Sequence, residues 1–279
     1  MLRTAGHDAT WVMPFGSCFC TRMAAPPSAA SVPRYFSFKD YLSEAEAATF
    51  FDLPHVDQVA KVTQYLDFLG QQPDLAQFTT SSKASISFAK LRDAYDSAAV
   101  DRHDDGPPTL KAEVLQLLFE GRTRSGFGAF GTEMGFLPQK RLSLAVAHAV
   151  ERIGHTYIIE RNKHGVLKPP VLNSRSFFFY WCHAEKQKLM DVHEKLAAQN
   201  VPLEKRQAYW QRIAIVVDRA MCDDCIHFAE CFARFEKASI CIRDPLVVRV
   251  FPSSNSQSVY LIPVSDVEQD TQAQVDVVR

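Results

Sequence analysis

Ile213-Ala214-Ile215-Val216-Val217 is a run of five apolar residues, four of them β-branched. A run so short and so uniformly apolar reads as a strand buried on both faces, the kind that helices cover in parallel sheets. Helical patterns stand on either side, Ala184 to Ala198 before it and Asp223 to Glu236 after it. Strand-length runs follow at Ser239–Ile242, Leu246–Phe251 and Val259–Val264, and Thr156–Glu160 reads as another upstream. Pro138 to Ile153 repeats Leu142, Val146, Ala149, Val150 and Ile153 on a helical period, with Gly154 as its stop. Helices alternating with short buried strands predict a layered α/β domain over residues 122–265.

The preceding segment, residues 38–121, reads as a helical lead-in. Ser43 and Glu46 form a capping box. Val59, Val62, Leu66 and Leu69 recur at helical spacing before Gly70. A segment around Ile86–Tyr95 also reads as helical, and Pro107-Pro108-Thr109 opens a helix carrying Leu110, Val114, Leu117 and Leu118. Residues 1–37 hold the low-complexity stretch Ala24–Ser31 and are expected to be disordered. Their basic residues Arg3, Arg22 and Arg34, against Asp8 alone, give faint support to an organelle transit peptide. Residues 266–279 are expected to form a frayed acidic tail. Gly126-Phe127-Gly128-Ala129-Phe130-Gly131 fits G-x-G-x-x-G, but the flanking pattern is not strand-then-helix, so a flexible loop is expected rather than a nucleotide site.

Composition narrows the function classes. No run of about 18 apolar residues is present, so no transmembrane helix and no membrane partner are expected. Seven cysteines at scattered spacings in 279 residues do not resemble a secreted disulfide scaffold. An intracellular, reducing setting is therefore expected, in cytoplasm or nucleus, where clustered cysteines more often mean metal. The chain is nearly neutral, with 31 basic and 32 acidic residues, yet residues 121–188 hold 11 Lys and Arg against 4 Asp and Glu. Such a stretch can attract a polyanion locally.

Two motifs carry chemistry. Cys182-His183-Ala184-Glu185 stands at a predicted helix start, and Cys222-Asp223-Asp224-Cys225 stands at another, just after the buried strand. Cysteines three apart on a helix are neighbours on one face. Free amides and the helix dipole at such a start favour thiolates, the form that binds metal. His183, Cys222 and Cys225 would give Zn²⁺ three ligands and leave a fourth position open, a catalytic rather than a closed structural arrangement. Glu185 supplies a base beside that position, provided that His183 and Glu185 sit at the helix entrance and not within a regular turn, where residues two apart diverge. H-x-E paired with C-x-x-C is the signature of the zinc nucleobase deaminases.

At Cys182-His183-Ala184-Glu185-Lys186, Cys222-Asp223-Asp224-Cys225 and Ile240-Cys241-Ile242-Arg243-Asp244 the chain resembles the DYW-type deaminases of the cytidine deaminase superfamily, above all the stand-alone fungal and microbial members. The resemblance spans roughly residues 125–264. It implies the cytidine deaminase fold, a three-layer α/β/α arrangement with a mixed five-stranded sheet, here preceded by a helical N-terminal region. It also implies Zn²⁺ as cofactor, His183, Cys222 and Cys225 as its ligands, Glu185 as proton shuttle, and cytosine-to-uracil conversion in single-stranded DNA or RNA. Plant members carry a histidine directly after the second cysteine and end in C-x-C and Asp-Tyr-Trp. Here Ile226 precedes His227 and the last residues are Asp276-Val277-Val278-Arg279, so the second zinc of those members is not expected.

Neighbouring residues suggest how a polymer would be held. Tyr180 and Trp181 abut the first motif and are candidates for stacking on a base. Arg161, Asn162, Lys163, Lys168, Asn173 and Arg175 lie just before it, with Arg175 a candidate for phosphate and Asn173 for sugar or base. His193 is expected to be a packed or surface histidine. His227, Cys231 and Cys241 offer donors for a second site, but ordinary burial of the two cysteines is the expected reading. Two other readings stay open. One is the same chemistry on free cytidine or a nucleoside-like antibiotic, and the other is a non-catalytic, zinc-stabilised nucleic-acid-binding module. The oligomeric state is not legible.

Overall fold

A computed structural model describes residues 36–72, 74–75, 79–89, 110–126, 134–158, 162, 164–166, 168–169, 172, 181–255 and 258–264. The low-complexity stretch, the rest of the glycine-rich loop beyond Gly126, and the acidic tail lie outside the described residues. Two short helices open the described chain, α1 (Phe38–Tyr41) and α2 (Glu44–Thr49). Each begins with a capping box, Ser37 with Asp40 and Ser43 with Glu46, in which hydroxyl and carboxylate satisfy otherwise orphaned amides. Next comes α3 (His55–Gln71), which buries Val59, Val62, Tyr65, Leu66 and Leu69 along one stripe. Strand β1 (Thr79–Phe88), helix α4 (Ala112–Phe119) and strand β2 (Thr123–Gly126) follow.

The remaining elements alternate much as the hydrophobic pattern predicts. They are α5 (Gln139–Ile153), α6 (Ala184–Ala198), α7 (Leu203–Trp210), β3 (Ile213–Val217), α8 (Asp223–Glu236), β4 (Ile240–Arg243), β5 (Val247–Phe251) and β6 (Tyr260–Pro263). Gly154 ends α5 in the left-handed region at φ 71°, a conformation that costs glycine little.

The strands form one mixed sheet in the order β2-β1-β3-β4-β5-β6. β3 and β4 pair in parallel, Ala214 with Cys241 and Ile215 with Ile242, and α8 is the crossover that a parallel pair requires. The other described pairings are antiparallel. Ile213, Ile215, Val217, Ile240 and Ile242 pack into the main core with α5, α6 and α8. Ala214, Cys241 and Val248 belong to a second, small cluster, so Cys241 is separated from Cys225 and Cys231 of the main core.

The expected five-stranded sheet is thus corrected to six strands. Thr156, Tyr157 and Ile158 form no strand, and residues 159–160 lie outside the described residues. β1 and β2 are the additions. β1 takes in Ile86–Phe88, the start of a segment expected to be helical. Its sequence Lys83-Ala84-Ser85-Ile86-Ser87-Phe88 alternates polar and apolar, a period-two pattern, and β1 is held from both sides by β2 and β3. No helix among the described residues is long and apolar enough to cross a membrane.

A buried polar group ties the site-bearing helices together. Glu236, fully enclosed at the end of α8, accepts hydrogen bonds from Arg206 at 3.0 Å and Trp210 at 3.1 Å, both on α7. It also meets His193 Nδ1 of α6 at 2.5 Å. Burial pushes its carboxyl up, but His193, Trp210 and Arg206 outweigh burial and hold it below the usual carboxylate range. A carboxyl depressed in the folded state adds stability above its ordinary value of about 4.3, and that stability is lost as pH falls below it. Thermal melts between pH 7 and pH 3 should therefore show a steeper acid loss for the wild type than for Glu236→Gln. Parallel curves would remove Glu236 from the acid response.

Candidate active site

The first motif is seated by β2. Cys182 and His183 precede α6, and His183 is its N-cap, with extended backbone at φ −70° and ψ 143°. The Gly126 amide donates to the Cys182 carbonyl at 2.9 Å, and the Ala184 amide donates to the Ser125 hydroxyl at 2.8 Å. The Thr123 hydroxyl donates to the Ala184 carbonyl at 2.7 Å, and Gln187 Nε2 donates to the Cys182 carbonyl at 2.7 Å. Backbone and side chains of one strand thus clamp the segment on which His183 and Glu185 ride. The His183 imidazole makes no capping bond to its own helix. Because the cap residue has left the helical conformation, the two-residue spacing to Glu185 no longer sends the side chains apart.

The second motif stands past the carboxyl end of β3, at the start of the parallel crossover, where open α/β sheets present their sites. Cys222 is the N-cap of α8, and the Ile226 amide donates to its carbonyl at 3.0 Å. Asp244 fixes the approach. It is buried in the β4–β5 turn and accepts from the Met221 amide at 3.3 Å, from the Leu246 and Val247 amides, and from the Arg249 side chain.

These two helix starts converge. His183 Nδ1 lies 3.2 Å from Cys225 Sγ and 3.7 Å from Cys222 Sγ, and the three donor atoms all fall within 4.8 Å of one another. Glu185 Oε1 is 3.8 Å from His183 Nδ1 and nearly enclosed. The arrangement is three soft or borderline donors on one side and a carboxylate on the other.

Its electrostatics favour a cation. A hydrogen bond from the Cys225 thiol holds Cys222 well below the usual thiol range, against the effect of burial, and His183 adds to the depression. Burial and the neighbouring Cys222 push the Cys225 thiol up. Burial alone would lower His183, yet Cys222 and Glu185 raise it. Binding of a divalent metal to two cysteines and a histidine displaces the protons that these groups hold. Two sulfurs and one imidazole suit Zn²⁺ better than Mg²⁺ or Ca²⁺, which take oxygen. The residues therefore fit zinc. His183→Ala and Cys225→Ser should each purify with at least tenfold weaker zinc affinity at this cluster, read by competition with a chromophoric chelator. Affinity equal to wild type in both would dissolve the cluster as a metal centre.

Behind the cluster lies a buried ion pair that the motif spacing does not announce. Lys186 is fully enclosed and pairs with Asp224, the second of the two residues between the cysteines. Asp224 also accepts the Ile158 amide at 2.6 Å and faces His155 Nε2 at 3.2 Å. Burial would raise the Asp224 carboxyl, but Lys186 and His155 bring it to about 2. Lys186, Asp224 and Asp244 were legible only as members of motifs. A polar residue's burial leaves no periodic signature.

The substrate-side expectations fare differently. Trp181, a candidate stacking surface, is corrected to a core residue. It is 1% exposed and meets Phe38 edge-on at 5.4 Å and Phe50 at 6.3 Å, so no face is open to a base. The aromatic residues of α1 and the turn Phe50–Asp52 enclose it, and nothing local to Trp181 signals that. Asn173, Arg175 and Tyr180 lie outside the described residues, as do Arg161 and Lys163. Two of the 11 basic residues of 121–188, Lys186 and Lys188, are buried and paired with Asp224 and Asp191, so they do not contribute surface charge. His193 is packed against Glu236, as a packed histidine was expected to be.

No curated protein matches the chain. A family model described as the C-terminal domain of single-strand DNA deaminase toxin A matches residues 122–189, which include His183 and Glu185 and stop before Cys222 and Cys225. Over this segment, from β2 through the first part of α6, the chain is similar to a nucleic acid deaminase domain.

Proposed function

We propose that this protein is a zinc-dependent cytidine deaminase that converts cytosine to uracil in single-stranded DNA. The observation that carries the reading is the convergence of His183, Cys222 and Cys225 within 4.8 Å, with the Glu185 carboxylate 3.8 Å from the imidazole. The family match over residues 122–189 supports single-stranded DNA ahead of RNA.

His183, Cys222 and Cys225 would hold Zn²⁺, whose contribution is Lewis acidity that makes hydroxide accessible near neutral pH. Glu185 accepts one proton from the attacking water and passes it to the ring nitrogen, where it stays in uracil, and it then passes the second proton of that water to the departing amine. Water and cytosine thereby give uracil and ammonia. Asp244 and the β2 clamp keep the two helix starts in register, which matters because small displacements of catalytic groups cost large factors in rate. Paired bases are poor substrates, since the target must leave the stack before its C4 can be reached.

The test is uracil formation by purified, zinc-loaded protein on matched single-stranded DNA, single-stranded RNA, duplex DNA and free cytidine. Deamination should be fastest on single-stranded DNA, at least tenfold slower on duplex, and should fall steeply with added salt as phosphate contacts are screened. A preference for cytidine with no salt dependence would replace this reading with a nucleoside deaminase. Oligonucleotide binding with no uracil from any substrate would leave a non-catalytic binding module.

A further inference from the structure

A second group of metal-ligating side chains stands on the same helix, away from the cluster already described. His227 and Cys231 are four apart on α8 and so share a face. The residue facing them is His155, which the chain delivers from 72 positions away. Gly154 turns in the left-handed region at the end of α5, and the next residue's imidazole is carried wholly into the interior. His155 Nδ1 comes to 3.0 Å from His227 Nδ1, and His227 Nε2 to 3.8 Å from Cys231 Sγ. One donor atom from each of the three falls within 4.8 Å of the others. Cys231 is 2% exposed and His155 5%.

We propose that His155, His227 and Cys231 form a second site for a divalent transition metal, zinc by its donor set, with a fourth position left to a non-protein ligand. Two imidazoles and one thiol are borderline and soft donors, unsuited to Mg²⁺ or Ca²⁺. The second observation is what stands behind His155. Its other ring nitrogen, Nε2, faces Asp224 Oδ1 at 3.2 Å. A carboxylate at a histidine's outer nitrogen orients a ligating imidazole; here the two approach without an aligned hydrogen bond, and metal at Nδ1 would leave Nε2 protonated to make one. Arg234 NH2 lies 3.2 Å from Cys231 Sγ and offsets part of the upward push that burial gives this thiol. The Gly154 carbonyl is 3.5 Å from the same sulfur.

The role follows from the elements joined. A metal here would pin the turn after α5 to the middle of α8. Through Asp224 it would also brace the start of α8, where Cys222 and Cys225 stand. The site takes none of the residues assigned to the zinc of the deaminase reading, and its donors include no C-x-C segment.

Metal content of the full chain tests it. The protein is loaded with zinc, desalted, and measured by mass spectrometry as wild type, His183→Ala, Cys231→Ser and His227→Gln. Two ions per chain are expected in the wild type and one in each variant. Cobalt substitution gives a readout independent of activity. With Cys222 and Cys225 both changed to serine, a thiolate-to-cobalt charge-transfer band should remain, and Cys231→Ser added to that background should abolish it. If the Cys231 variants fail to fold, wild-type stoichiometry and the cobalt band of the Cys222/Cys225 variant still decide. One ion in the wild type, lost in His183→Ala and kept in Cys231→Ser, with no cobalt band once Cys222 and Cys225 are gone, would overturn this second site. One ion lost in Cys231→Ser and kept in His183→Ala would keep it and sink the first.

Discussion

Glu185→Ala is expected to lose uracil formation by a factor of about 10²–10⁴ while keeping its zinc, the range that removing a positioned general acid–base group costs. The carboxylate sits 3.8 Å from His183 Nδ1 and makes no contribution to the donor set of two sulfurs and one imidazole. Deleting it therefore removes a proton carrier and not a ligand. Its place at the entrance of α6, in the first turn after the His183 cap, is held by the Ser125 and Thr123 contacts to Ala184, which the substitution does not touch. Metal analysis alongside single-turnover deamination separates the two roles. Wild-type turnover in Glu185→Ala would end the proposed mechanism. Zinc lost together with activity would instead make Glu185 part of the metal's support.

Lys186→Met should be the most damaging change to stability among the residues around the cluster. Lys186 and Asp224 are both enclosed, with side chains 0% and 2% exposed. Removing the ammonium strands a carboxylate in the interior, and breaking a buried pair from one side costs about 3–5 kcal/mol. Urea unfolding at neutral pH reads the loss. The double change Lys186→Met with Asp224→Asn should recover part of it, because the stranded charge goes too. Acid sensitivity moves in a defined direction. Wild-type Asp224 titrates at about 2, below its ordinary value of about 3.9, so its contribution is present above 3.9 and lost as pH falls toward 2. In Lys186→Met that carboxyl rises, so acidification costs the variant less than the wild type, and the stability gap between them narrows as pH falls. A midpoint within about 1 kcal/mol of wild type would show that water reaches Asp224 and that the pair is not truly buried.

Three elements were legible from end to end. α6, β3 and α8 begin and stop where period, apolar run and flanking residues place them, since each is long or uniform enough for local chemistry to prevail. β1 and β2 were not. Thr123–Gly126 is four residues, too short for a periodic signal, and β1 is rich in serine with a lysine among them. What makes it a strand is pairing on both sides with segments far along the chain, Ala84 with Thr123 and with Val217. Strand formation of that kind follows the surroundings more than intrinsic preference.

The same division runs through the sites. That His183, Glu185, Cys222 and Cys225 are candidates for metal and proton chemistry was readable in the chain, because donor type is covalent and spacing within a helix start is local. That the two starts meet was set by β2 holding one and Asp244 of the β4–β5 turn holding the other. The burial of Lys186 beside Asp224, the enclosure of Trp181 by Phe38 and Phe50, and the approach of His155 to His227 all join residues dozens of positions apart. No pattern within a window of one helix or strand encodes such meetings. They arise when the core closes, and burial then decides which charges are paired and which rings lose their open face.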